Sequence, residues 1–262
     1  MAYYLTGAKG FIGRRLSKIL DVQDKLEGAE GVIHLAAYGN HSWQTDIEEI
    51  FRANVLGTQK ILEECRLNGI KNFIFIGTSS EYGMKDKPMT ESDLPEAKTM
   101  YACSKICGTY LTRHYSNYFN AVTIRPFSVY GEEEDDRRFI PMAIRCLNNG
   151  EVLNLDPNAT HDWVYIDSLV HAIIKITQNM SVLNGQIINV CSGKCYSNIE
   201  IVKMLEEISG KRAKINIVEG QRKNDSPLWV GDNAKLKSLG WIESTNIIDG
   251  LEKVYEFYKK KT

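Results

Sequence analysis

The stretch Ala2–Gly13, AYYLTGAKGFIG, decides how the rest of the chain is read. AYYLTG is apolar and strand-sized, and it runs straight into a glycine turn. Phe11 to Leu20 then carries apolar residues at helical spacing. Gly7, Gly10 and Gly13 sit at the junction as GxxGxxG. Glycines there let the backbone turn tightly and approach a pyrophosphate seated on the helix N-terminus. A tight turn with no ligand would carry the same glycines, so the strand–turn–helix context is what gives the pattern weight. The usual fingerprint adds an Asp or Glu roughly 20 residues on, at the end of a second strand. Counting from Gly13 leads instead into GVIHLAA, which ends in Ala36, Ala37 and Tyr38 without a carboxylate.

Working outward, GVIHLAA, FIFIG and AVTIRP read as buried strands, the last stopped by Pro126. Thr45–Leu67 and Met100–Phe119 read as long helices, the first ended by Asn68-Gly69. Strands alternating with long helices imply a parallel α/β sheet covered on both faces. After Gly131 the elements shorten: a charged EEEDDRR loop, read as a solvated connector, then a helix over Ile140–Asn148. A helix from Asp167, a strand QIINV, and helices over Asn198–Ser209 and from Ile247 complete the chain. The expected division is a dinucleotide-binding domain over 1–130. A substrate lobe covers 131–262, with about 161–192 returning to the main domain.

Composition sets limits. The 262 residues can bury a large core, and 43% hydrophobic with 25% charged is ordinary for a globular protein. A formal charge of -1 offers no field for nucleic acid or an anionic membrane. The apolar runs are too short to span a bilayer, and no basic region followed by a long apolar run marks a signal peptide. None of the six cysteines forms a CxxC, and no histidines stand at zinc spacing, so no metal site is expected. Reduced thiols in a cytoplasmic protein are the expectation.

Tyr101 and Lys105 form YACSK inside the Met100 helix, one turn apart on one face. A phenol is a poor base at neutral pH, and a nearby ammonium favours the phenolate. Such a pair can move a proton to or from a hydroxyl as a hydride moves. YxxxK alone is common by chance. Here it follows FIFIGTSSEYG, where Thr78, Ser79 and Ser80 are candidate hydroxyls at a strand end, facing the crevice where such sheets bind ligands.

Taken together, TGAKGFIG, GVIHLAA, FRANVLGT, FIFIGTSSEYG, YACSK, IRPFSVYG, HDWVYIDSLV and INVCSGKCYSNIEI resemble the extended short-chain dehydrogenase/reductases of the NAD-dependent epimerase/dehydratase family, which act on nucleotide sugars. The resemblance covers nearly the whole chain in the family's order. It implies a Rossmann-like domain and a small substrate lobe. Thr78 would hydrogen-bond the sugar oxygen, Tyr101 would be the acid/base, and Lys105 would bind the nicotinamide ribose. Gly7, Gly10, Phe11, Ile12 and Gly13 would hold the pyrophosphate of NAD or NADP, with Ala36, Ala37 and Asn54 lining it and Pro126 and Phe127 bordering the nicotinamide. Ser79, Ser80, Ser128, His161, Arg222 and Asp225 would face the sugar nucleotide. The helices at 45–67 and 100–119 would pair two subunits into a homodimer.

Four features depart from the family. Ser79 and Ser80 replace the Asp-Glu pair of the 4,6-dehydratases, which disfavours dehydration, because removing water needs an acid and a base there. His161 stands where an arginine usually grips phosphate, replacing a bidentate fork with at most a single contact. Ser128 stands where many epimerases have Asn. Finally, DVQDKLEGAEG follows Leu20 almost at once, so a strand–loop–strand unit is missing and Asp21-Val22 resembles the pair that ends the family's third strand and touches adenine. The expected activity is NAD(P)-dependent chemistry at C4 of a nucleoside-diphosphate sugar, as a 4-epimerase or a 4-keto-6-deoxy sugar reductase. The alternative is a non-catalytic sugar-nucleotide binding protein of the same fold.

Overall fold

The computed structural model describes residues 2–218 and 228–260. In chain order the elements are β1 (Tyr3–Thr6), α1 (Phe11–Ser17), β2 (Val22–Gln23), β3 (Gly31–His34), α2 (Ile47–Phe51), α3 (Gly57–Leu67), β4 (Asn72–Ile76), α4 (Met100–Tyr115), β5 (Asn120–Pro126) and β6 (Ser128–Tyr130). There follow α5 (Phe139–Asn149), β7 (Val152–Leu155), β8 (Thr160–His161), β9 (Trp163–Tyr165), α6 (Ile166–Thr177), β10 (Ile187–Val190), β11 (Tyr196–Ser197), α7 (Asn198–Ser209), β12 (Lys214–Ile217), α8 (Ala234–Ser238) and α9 (Ile247–Lys259).

Six strands form the expected parallel sheet, in the order β10-β5-β4-β3-β1-β2. The alternation along each strand explains its two coverings. Val32, Phe73 and Phe75 point into the core beneath α3 and α4, with Leu62 and Tyr115. Ile33, Ile74 and Val122 point to the opposite core, with Leu16 of α1 and Leu169 and Ile173 of α6. Every residue of β3 is buried, so a one-residue slip would exchange the two packed faces. A third core, built on Tyr130, Ile144, Trp163, Tyr165, Val202 and Leu251, gathers α5, α7 and α9 into the smaller lobe. Within 161–192, α6 covers the main sheet while β10 pairs with β5, Ile187 opposite Thr123. No helix among the described residues is long and apolar enough to cross a membrane.

Three expectations are corrected. The helix over Thr45–Leu67 is interrupted: a π-helical turn, Arg52–Leu56, separates α2 from α3. The apolar spacing carries through such a turn, which is why periodicity does not reveal it. The acidic loop is not a solvated connector. Tyr165 Oη donates to both carboxylate oxygens of Glu132 (2.8 and 2.7 Å), and Glu133 pairs with Arg14 and Lys18 of α1 (3.0 and 2.8 Å). The buried Glu134 carbonyl accepts from Tyr258 Oη at 2.6 Å. Third, Asp21-Val22 does not end a strand: Val22 opens β2. Val22 pairs with Tyr3 and Gln23 with Tyr4, so β2 lies directly against β1 as the sheet's edge.

Candidate active site

The glycine turn is built so that only glycine fits at its ends. Gly7 has φ +72, and a Cβ there would stand 2.8 Å from Ala36 N. A Cβ on Gly13 would lie 2.7 Å from Ala8 Cα and closer still to the Gly7 carbonyl oxygen. α1 therefore starts hard against the end of β1, and Gly10 N donates to Gly7 O at 2.9 Å. This sets the first turn of α1, with Phe11 and Ile12, at the carboxyl end of β1, the end at which parallel sheets of this kind bind ligands.

A buried relay ties this turn to the rest of the site. Ala36 N donates to Thr6 Oγ1 (3.2 Å), and Thr6 Oγ1 lies 2.6 Å from His34 Nδ1. His34 Nε2 lies 3.0 Å from Thr58 Oγ1, which donates to the Asn54 carbonyl at 2.6 Å. With Thr58's proton committed to Asn54, His34 carries its proton on Nε2 and accepts from Thr6 on Nδ1. Burial, aided by the Lys105 charge, drives the His34 pKa down to about 3, so the ring is neutral. Asn54, expected to line the cofactor, is buried with its side chain engaged elsewhere. It accepts from Tyr38 N (2.8 Å) and donates to Tyr38 O (2.7 Å) and Ser104 Oγ (2.9 Å). It shapes the turn after Ala36 and Ala37 and joins it to α4.

Thr78 closes β4 and caps the 3-10 turn Ser79–Tyr82, accepting from Ser80 N at 3.2 Å. The fully buried Glu81 in that turn escaped the sequence reading. One carboxylate oxygen accepts from Thr78 N (3.0 Å); the other accepts from Thr109 Oγ1 (2.8 Å) and from Arg125 Nε and Nη2 (3.0 and 2.8 Å). A lone arginine in the apolar AVTIRP was the available signal, because a buried guanidinium requires a carboxylate.

Thr99 caps α4 through Ala102 N (3.1 Å) and so starts the helix that carries Tyr101 and Lys105. Lys105 is 2% exposed, and its ammonium stands 4.2 Å from the Phe75 ring centroid, with no hydrogen-bond partner among the described residues. Burial lowers its pKa to about 8, against the pull of Glu81. The Tyr101 phenol is pushed up, first by burial and then by the Glu81 charge; Arg138 pulls it back down. This modifies the expectation that Lys105 lowers Tyr101: burial and Glu81 raise it instead, and the phenol is neutral.

The remaining expected residues divide. Pro126 and Phe127 are buried at the carboxyl end of β5, where Phe127 N donates to Val190 O at 3.0 Å. Ser128 Oγ and His161 Nδ1 lie 3.4 Å apart, and His161 packs edge-on against Trp163. Between them Asp162, fully buried, accepts from Ser192 N and Oγ (both 2.7 Å), Gly193 N (3.0 Å) and Gly231 N (3.2 Å), fixing two loops. Ser80 is half-buried, but Ser79 is 5% exposed and accepts from the Trp229 indole. Arg222 and Asp225 lie outside the described residues.

Asp21 is misplaced as a cofactor residue. Its carbonyl accepts from Tyr3 N (2.8 Å), at the amino end of β1, whereas ligands of open parallel sheets bind at the carboxyl ends. The acid that follows β2 on the carboxyl side is the exposed Asp24. Arg14 and Arg15 are both engaged: Arg14 with Glu133, and Arg15 with both oxygens of Asp167 (2.5 and 2.7 Å).

Known proteins resemble this chain in sequence and fold. A Bacillus subtilis protein described as an uncharacterized UDP-glucose epimerase is 27% identical over 88% of this chain and 75% of its own length. The dTDP-glucose 4,6-dehydratase of Streptomyces griseus is 26% identical over 90% of this chain and 73% of its own. With dehydratases among the relatives, setting dehydration aside on Ser79 and Ser80 is not supported. The UDP-glucuronic acid 4-epimerase of Bacillus cereus, solved with UDP-glucuronic acid and NAD, superposes with a TM-score of 0.93 at 25% identity, covering both chains fully. Residues 19–191 match the family's sequence pattern. The chain belongs to the NAD dependent epimerase/dehydratase family.

Proposed function

We propose that the chain carries out NAD-dependent redox chemistry at C4 of a nucleoside-diphosphate sugar, as an epimerase or a keto-sugar reductase. One observation carries the reading. A strand-end threonine is bonded to a buried carboxylate whose charge reaches the helical Tyr–Lys pair, within one hydrogen-bonded framework with a glycine turn that admits no Cβ at Gly7 or Gly13. The residues fit the cofactor: the Gly7–Gly13 cradle for its pyrophosphate, Lys105, without a hydrogen-bond partner among the described residues, for the nicotinamide ribose, and Phe127 beside the ring. Bound NAD supplies the hydride acceptor or donor.

The chain's own residues handle the proton. Thr78 Oγ1 already accepts from Ser80 N, so its own proton is free to point at the sugar oxygen. Tyr101, neutral at rest, gives its proton to a keto oxygen as reduction proceeds. In the oxidative direction it takes the hydroxyl proton, and the Lys105 ammonium stabilises the phenolate. NAD is favoured over NADP, because Asp24 stands at the edge-strand end for a ribose hydroxyl while Arg14 and Arg15 are held elsewhere.

The protein is further proposed to act as a cytoplasmic homodimer. Its six cysteines are free. Met100 and Tyr110 are exposed on α4 with Cys103 and Cys107 between them, and Leu56 and Leu67 are exposed on the neighbouring helical segment. A monomeric mass by light scattering would refute the pairing.

The two-residue β2 edge favours the second reading, a non-catalytic binder of sugar nucleotides. Titration with NADH and NADPH, followed by nicotinamide fluorescence, separates the two. NADH binding, with an epimerised, reduced or dehydrated product from UDP-glucose, UDP-glucuronic acid or dTDP-glucose by NMR, supports the enzyme. No binding of either nucleotide at millimolar concentration overturns it.

A further inference from the structure

We propose that Glu81 is a positioning residue, whose carboxylate sets the backbone at Thr78 and so aims the hydroxyl that meets the sugar oxygen; the role rests on the activity proposed above. A buried Glu–Arg pair could be mere fold cement, but the bonding is more particular than that. The two oxygens divide their work. The one bonded to Thr78 N fixes the second residue past β4, and the other collects Arg125 from β5 and Thr109 from α4. Thr78 is thereby referenced to the next strand and to the helix that carries Tyr101 and Lys105. Thr78 and Glu81 also form a reciprocal capping box over the 3-10 turn, so moving the carboxylate unlocks the turn at both ends. Gly77 leaves the room: a Cβ there would run into the Glu81 carboxylate.

Arg125 from β5 and Thr109 from α4 bond Glu81 directly, its charge reaches Tyr101 and Lys105 of α4, and Tyr82 of its own turn holds its ring 4.4 Å from the Arg125 guanidinium. In Glu81→Gln a single acceptor oxygen remains. Arg125 and Thr109 compete for it, and the new NH2 faces the Thr78 N–H, donor against donor.

Two variants are compared: Glu81→Gln, and Glu81→Met with Arg125→Met. The second removes both charges of the Glu81–Arg125 pair together and keeps the core foldable if the first does not fold. Amide exchange by NMR reads the backbone without any substrate. Exchange at Thr78 is expected to be faster by about tenfold or more, as loss of a charge-assisted hydrogen bond predicts, with β4 and β5 still protected. Unchanged exchange at Thr78, or loss spread evenly over β4, β5 and α4, overturns the proposal. Turnover of whichever nucleotide sugar is active is then measured in a cycle with Thr78→Val. A positioning role lowers kcat when Thr78 is present and has little effect when Thr78→Val has already removed the hydroxyl, whereas cement lowers both equally and overturns it. If no nucleotide sugar is turned over, the proposed activity fails while the exchange measurement still decides Glu81.

Discussion

The indole Nε1 of Trp229 donates a hydrogen bond to the Ser79 hydroxyl, 3.2 Å away. A position expected to touch substrate therefore fastens Trp229 to the turn that carries Thr78. Ser79→Ala leaves the indole N–H without its partner and should cost about 1 kcal/mol of stability. It should also change Trp229 emission. A urea midpoint and emission spectrum identical to the parent would contradict this.

Tyr101→Phe removes the only proton that the proposed mechanism moves. Turnover should fall by about a hundredfold or more while NADH still binds. Steady-state kinetics beside the fluorescence titration makes the comparison, and undiminished turnover would sink the mechanism.

Lys105 gives a signed pH effect. Its pKa is lowered from 10.5 to about 8 by burial, so between those values the folded chain binds fewer protons than the unfolded one. Stability from this group therefore rises with pH across that window and is least below pH 8. Lys105→Met should be more stable than the parent at pH 7, by ~1–3 kcal/mol, with the gap closing towards pH 10.5. A gap that does not change with pH would refute the assignment.

Gly13→Ala forces a Cβ into the backbone of Gly7 and Ala8, and Gly7→Ala adds a positive φ to a close approach. Each should cost about 1–3 kcal/mol and weaken NADH. Thermal unfolding and NADH titration read the two effects.

Asp24→Ala should weaken NADH by roughly tenfold, the loss of one charge-assisted hydrogen bond. Arg14→Ala should leave the NADPH-to-NADH affinity ratio unchanged, because its guanidinium is held by Glu133. The reverse pattern would move the adenosine contact from β2 to α1.

Local pattern alone was enough for the parallel sheet, the glycine turn and the Tyr101–Lys105 pair. Strand and helix periods are properties of consecutive residues, and the glycines of TGAKGFIG stand beside the strand they serve. Other features needed partners distant in sequence. Asp21 and Asp24 look alike in DVQD, and only the pairing of Val22 with Tyr3 shows which lies at the ligand-binding end of the sheet. Ser79 and Ser80 look alike in TSSE, and only Trp229, 150 residues away, distinguishes the buried one. Glu81 reads as a turn residue until Arg125 arrives from the next strand. The sequence by itself determined the main strands and helices and which residues share a face. The tertiary structure alone decided which charges and hydroxyls are held and which are free, because burial and hydrogen bonding are set by neighbours in space.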